Sequence, residues 1–324
     1  MKWIRKIIIG VLVILFPLAR TNSQFSTQML QDLPTQEVDS NYVNLEENIL
    51  SLRTFLVLKS QSFKLRNNKY ALRYTPNNRF GVGVGFAYYP ILLDFAINLK
   101  VYKENASERL DIQGELLYKR SLFTLYFQDY TGFNITGDLI SEAVFRPDIE
   151  SLHFGFSYFR VLNASKMSFR SVFAGGAEQK KSVGSFALGG AVGFQWMRAD
   201  SSIVPSSQQD LFNDYAMINE IMGFNVIVKG GYSHVFVLPD GFFVFASVYP
   251  GIGIFVQKIT SHEIYFPSDY LNLNLDLQIA FGYNGSKMYS TLGFVTHHSD
   301  KSLDYSNHMS SRLGRVKLVF GFKL

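Results

Sequence analysis

In about a dozen segments of this chain, large apolar side chains alternate one for one with small or polar ones, a period of two that dictates extended strands with one apolar and one hydrophilic face. Leu271, Leu273, Leu275, Leu277, Ile279 and Phe281 share one phase, and Asn272, Asn274, Asp276, Gln278, Ala280 and Gly282 the other. Phe80, Val82, Val84, Phe86 and Tyr88 alternate with Gly81, Gly83, Gly85 and Ala87 in the same way. So do Phe186, Leu188, Val192, Phe194 and Trp196 with Ala187, Gly189, Ala191 and Gln195. A soluble β-sandwich needs a polar exterior, whereas these outward phases are apolar enough for lipid. With 30 Phe, 18 Tyr and 25 Gly but only 18% charged residues, the composition suits a barrel with an aromatic exterior and a small-residue interior. The predicted fold is all-β: one antiparallel transmembrane β-barrel of about 12 to 14 strands.

The chain opens with a basic stretch at Lys2, Arg5 and Lys6, an apolar run from Ile7 to Ala19, and a polar Thr21-Asn22-Ser23, which reads as a secretory signal cleaved after Ser23. The apolar run is about 13 residues, short of the roughly 20 that span a bilayer as a helix. The expected division is therefore a signal peptide at 1–23, a polar periplasmic lead-in at 24–48 and an outer-membrane barrel at 49–324. Of the formal net charge of +5, Lys2, Arg5, Lys6 and Arg20 lie in the removed segment, so the mature chain carries only about +1 and gives no reason to expect nucleic acid as a partner. Zero cysteines exclude disulfides, thiolate metal sites and a lipidated lipobox cysteine.

Strands are expected near Leu52–Leu65, Arg79–Tyr88, Ile91–Tyr102, Arg109–Arg120, Ser121–Gly132, Ser151–Leu162, Met167–Glu178 and Ser185–Met197. Further strands are expected near Phe224–Val235, Phe242–Phe255, Leu271–Tyr283, Met288–His297 and Arg315–Leu324. Single-chain bacterial barrels carry an even number, so either Lys69–Tyr74 adds a short strand or two segments are one bent strand. Leu238-Pro239-Asp240-Gly241 and Asn284-Gly285-Ser286 are hairpin turns; Phe133–Glu150, Arg198–Met222, Gln257–Asp269 and His298–Gly314 read as long connections. In the last strand Val316, Leu318, Phe320, Phe322 and Leu324 face one way and Arg315, Lys317, Val319, Gly321 and Lys323 the other. A terminal amphipathic strand of this kind resembles the signal that outer-membrane proteins present to the barrel insertion machinery, although Leu324 stands where an aromatic is commoner.

Four stretches carry a family resemblance: Asp111-Ile-Gln-Gly-Glu-Leu-Leu-Tyr-Lys-Arg120 running into Tyr126-Phe-Gln-Asp-Tyr-Thr-Gly-Phe133, then Arg146-Pro-Asp-Ile149, Glu178-Gln-Lys-Lys-Ser-Val-Gly-Ser-Phe186 and Arg198-Ala-Asp-Ser-Ser202. They resemble an uncharacterised family of outer-membrane β-barrel proteins found widely in Bacteroidetes and catalogued as domain of unknown function 4421. The resemblance runs from Tyr42 to Leu324 and implies a Gram-negative outer-membrane location and a barrel; it brings no catalytic or binding residues with it.

Asp111, Gln113 and Glu115 share a face of one strand and Thr124, Tyr126 and Gln128 a face of the next, so a hairpin sets them in a polar wall inside the barrel together with Asn272, Asn274, Asp276 and Gln278. Lys180 and Lys181, beside a Gly/Ser turn, are candidates for gripping a phosphate or lipid head group, as is Arg198 after the interfacial Trp196. Solvated turn charges are the plainer reading of all three. A lipid-modifying hydrolase needs a serine beside a histidine base at the rim. His297 and His298 precede Ser299 and Asp300, and His153 and Asp129 lie near strand ends, but Ser233 and His234 are strand neighbours and point to opposite faces. No metal-ligand spacing, nucleophile elbow or nucleotide fingerprint is present, and no cofactor is expected. The functional expectation is a porin-like narrow channel or a non-enzymatic barrel that binds lipid, a partner or a small solute, with outer-membrane lipids around it; a lipid-modifying hydrolase is the alternative.

Overall fold

The computed structural model describes residues 37–45, 50–88, 91–99, 105–138, 140 and 142–324. The expected signal peptide and most of the lead-in segment lie outside the described residues. In chain order the strands are β1 (Val43–Leu45), β2 (Ser51–Arg66), β3 (Ala71–Thr75), β4 (Phe80–Tyr88), β5 (Ile91–Asn98), β6 (Glu108–Tyr118), β7 (Ser121–Gly137) and β8 (Val144–Val161). After one turn of helix, α1 (Phe169–Phe173), come β9 (Ala177–Gln179), β10 (Val183–Arg198), β11 (Glu220–Val237), β12 (Phe242–Thr260), β13 (Ile264–Tyr265), β14 (Leu271–Asn284), β15 (Met288–Ser302) and β16 (His308–Lys323).

Among the described residues, twelve of these strands pair antiparallel in a closed ring; β3 and β13 attach to it and complete a 14-stranded sheet, while β1 and β9 form a separate two-stranded one. The ring closes where β16 meets β2, from Lys323↔Ser51 to His308↔Arg66, and β11 pairs with β12. The barrel end where β2 begins and β16 stops is here called the floor, the opposite end the roof.

The alternation is why these segments pair. Leu52, Leu56, Val84, Leu188, Val226, Ile252, Leu273, Ile279 and Phe320 project outward as an exposed apolar surface that only lipid can cover. On the inward phase, aromatic rings lie flat over glycines of neighbouring strands. A Cβ at Gly83 would sit 2.2 Å from Phe55 Cζ, and one at Gly321 2.1 Å from Tyr289 Cε1. The small inward residues thus do not widen a pore; they admit the rings that fill it.

Three expectations need correction. Met167–Glu178 is not a wall strand. Phe169, Val172 and Phe173 recur at i, i+3 and i+4, and inside a barrel that face is buried as helix α1 rather than exposed to lipid. Phe133–Glu150 is not a long connection either. A bulge at Gly132 (φ 85°) moves the inward phase from Tyr130 to Phe133 and Ile135, so β7 continues to Gly137 although its alternation breaks. His298–Gly314 is mostly strand: β15 and β16 run on past the apolar surface, where polar outward residues such as Asp300, paired to Arg66 at 3.1 Å, are tolerated. Lys69–Tyr74 does contribute a short strand, β3, which bridges β2 to β7 above the short β4, β5 and β6.

Because Ile279 faces lipid and Gln278 the lumen, Ile279→Lys is expected to cost about 2 to 4 kcal/mol in denaturant unfolding from lipid vesicles, and Gln278→Lys less than about 1 kcal/mol.

Candidate functional site

The barrel surrounds a chamber of about 310 Å³ lined by both polar and apolar side chains, far more than the roughly 10 to 15 Å³ that one water needs. Its floor is the chain between β8 and β10, which turns back into the barrel. Met167, Phe169, Val172 and Phe173 pack there against Val235, Phe243, Phe245 and Ala280. A one-turn helix cannot satisfy its own last carbonyls, and wall side chains do so instead. Thr291 Oγ1 donates to Val172 O (3.3 Å), Arg53 Nη1 to Phe173 O (2.7 Å) and Asn284 Nδ2 to Ser171 O (3.4 Å), while Asn284 Nδ2 also donates to Ala177 O at the start of β9 (2.6 Å). Arg53 is held in turn by Asp94, at 2.6 Å, and Asp94 also binds Lys317. Below the floor, β1 pairs with β9, and Gln179 Nε2 donates to the carbonyls of Tyr42 (3.1 Å) and Lys166 (2.8 Å).

The roof is built by residues 199–219. Their sequence reads as a polar loop, but Ile203, Val204, Phe212, Ala216 and Ile218 are buried against Phe63, Tyr74, Phe133, Ile149 and Ile259. Tyr74 Oη donates to Ile203 O (3.0 Å), and Arg146, chelated by Asp148 through two 2.7 Å bonds, donates to Ser202 O (2.9 Å). Tyr265 Oη donates to Leu303 O (3.1 Å), and burial pushes that phenol above the ordinary tyrosine range. Under the roof, side chains cross the lumen: Lys301 Nζ donates to Gln195 Oε1 at 2.8 Å and rides 3.8 Å above the Phe255 ring, while Gln61 Nε2 reaches Ser151 Oγ at 3.5 Å.

Asp111, Gln113, Glu115, Thr124, Tyr126, Gln128, Asn274, Asp276 and Gln278 all line the chamber between floor and roof. Asn272 is buried and accepts a hydrogen bond from Ser299 Oγ at 3.0 Å. Asp276 binds Lys229 (2.6 Å) and His297 Nδ1 (3.0 Å); Asp111 binds Lys59 (2.5 Å) and accepts from Tyr130 Oη (2.8 Å). Lys180 and Lys181 lie near the floor, where Lys180 donates to Ser40 O (3.0 Å) and Lys181 stands 5.4 Å from the Tyr42 ring. Arg198 is at the roof end, paired to Glu150 at 3.1 Å and set against Trp196. These three cations therefore do not converge on one site. Among the described residues, none of His153, His234, His297 and His298 hydrogen-bonds a serine hydroxyl: His234 meets Tyr232 and His297 meets Asp276.

Sequence reading did not single out Arg53, Lys59, Asp94, Lys229 or Arg315 as site residues. The signal was present, because each sits on the phase opposite lipid-facing neighbours such as Leu52 and Leu56 or Val226 and Val228.

The geometry defines an antiparallel transmembrane barrel whose own chain packs into both ends. The protein belongs to the family described as Domain of unknown function (DUF4421), whose model matches residues 37–324. No curated protein matches it. Among solved structures it is similar to the outer membrane protease OmpT from Escherichia coli, at 8% identity over 87% of this chain and 98% of that one, with a TM-score of 0.39. It is also similar to the Pseudomonas putida toluene transporter TodX, at 8% identity over 85% and 90%, with a TM-score of 0.29. Overlaps this low carry nothing about activity from those barrels to this one.

Replacing Asp94 by Asn leaves Arg53 and Lys317 without their shared counter-charge. It is expected to destabilise the barrel by about 3 kcal/mol and to speed amide hydrogen exchange across Phe169–Phe173, read by mass spectrometry.

Proposed function

We propose that this protein is an outer-membrane barrel that does not conduct, and that retains a small polar solute in its central chamber. The observation that carries this reading is that two folded segments of the chain itself pack into opposite ends of a chamber lined by many polar side chains. An open diffusion pore needs a continuous polar path, and the apolar roof core and the α1 aromatic side chains packed into the barrel ends support a path that is interrupted. Apart from the inward-folded 162–182, the connections at the floor include tight turns at 119–120, 238–241 and 285–287, whereas longer connections at 199–219 and 261–270 lie at the roof, which supports a roof facing outward and a floor facing the periplasm. Outer-membrane lipids surround the apolar exterior, and the exposed Phe320, Phe322 and Leu324 suit β16 to recognition by the insertion machinery.

Purified protein in planar bilayers is expected to give no discrete current steps over a wide voltage range. A steady open level would overturn the proposal and establish a narrow channel instead.

A further inference from the structure

The chamber's charges are unevenly matched. Asp111 neutralises Lys59, and Asp276 serves both Lys229 and His297. Arg315 and Glu115 face the same chamber, yet among the described residues neither has an oppositely charged side chain in ion-pair contact. Both bond instead to the neutral amide of Gln113: Gln113 Nε2 donates to Glu115 Oε1 at 3.0 Å, and the Arg315 guanidinium donates to Gln113 Oε1. Gln113 and Glu115 are successive inward residues of β6, about 7 Å apart along the strand, while Arg315 reaches Gln113 from β16.

The amide thus bridges a guanidinium and a carboxylate that form no direct ion pair with each other or with another side chain, although Glu115 also lies in the field of Arg53. A half-buried charge gains from a partner in direct contact, and the two here are of opposite sign. A simple anion compensates Arg315 and leaves Glu115 without that gain; a simple cation does the reverse. A molecule carrying both signs compensates both and leaves the chamber's net charge unchanged. Thr124, directly opposite Glu115 on β7, adds a polar group beside the same path.

We infer that the chamber binds a small zwitterion, a free amino acid or short peptide, with its carboxylate on Arg315 and its ammonium on Glu115. This rests on the solute-binding reading above and names the chemistry of the solute.

Equilibrium dialysis of the full mature barrel in detergent micelles against labelled glycylglycine, acetate, methylammonium and glycerol tests it. Glycylglycine is expected to bind about tenfold or more tighter than acetate or methylammonium, the margin of one lost charge-assisted hydrogen bond. Arg315→Gln and Glu115→Gln should each weaken glycylglycine by a similar factor. Arg315→Gln should spare methylammonium and Glu115→Gln should spare acetate, with heat-modified gel migration showing that both variants are folded. Glycerol binding as tightly as glycylglycine overturns the zwitterion assignment while the solute-binding reading survives; if no probe binds, both fall. The unmodified protein decides this even if a variant fails to assemble.

Discussion

Inside a hydrocarbon layer no water is available to a backbone N–H or C=O, so a sheet in lipid must pair its last edge with its first. In this chain that obligation is met by β16 lying along β2 over its full length, and nearly every other feature follows from it. A closed ring has one face for lipid and one for its own interior, which separates Leu271, Leu273 and Ile279 from Asn272, Asn274 and Gln278 along a single strand. Chemistry can then reside only on the inward phase, at the barrel ends, or in segments folded into the lumen.

A twelve-strand ring leaves space that its inward side chains must fill or hydrate. The protein fills it in layers. Aromatic rings settle onto glycines of adjacent strands, α1 occupies the floor, and residues 199–219 occupy the roof. Between them the polar side chains are left to satisfy one another. Removing charge from water is costly unless it is paired, which explains why Arg53 and Lys317 share Asp94, and Lys229 and His297 share Asp276. Each shared carboxylate also ties together strands that are adjacent or up to three places apart in the ring, so the ion pairs staple the wall from within.

The wall was the legible part, because lipid and lumen impose a two-residue period on every strand that crosses. Where the period fails, sequence reading fails for a physical reason. At Gly132 a left-handed residue inserts a bulge and switches the inward phase, so Phe133 and Ile135 look like the start of a loop. In Met167–Glu178, Phe169 and Phe173 fit both a strand and a helix face, and only a cavity of suitable width selects the helix. Residues 199–219 have no period, because each apolar side chain finds its own niche in a core supplied by other strands.

The chain by itself determined the fold class, the inward and outward phase of most strands, and the presence of Asp111, Gln113, Glu115, Thr124, Tyr126, Gln128, Asn274, Asp276 and Gln278 on the inward side. These are local properties, set by alternation within one strand. Only the tertiary structure decided that residues 199–219 and α1 pack into the two ends of the barrel, that Asp94 and Asp276 each serve two cations, and that Arg315 meets Gln113 from a strand about two hundred positions away in the chain. Those outcomes depend on which strands face one another across the ring, and that follows from strand order and register around a closed wall rather than from the pattern within any one strand.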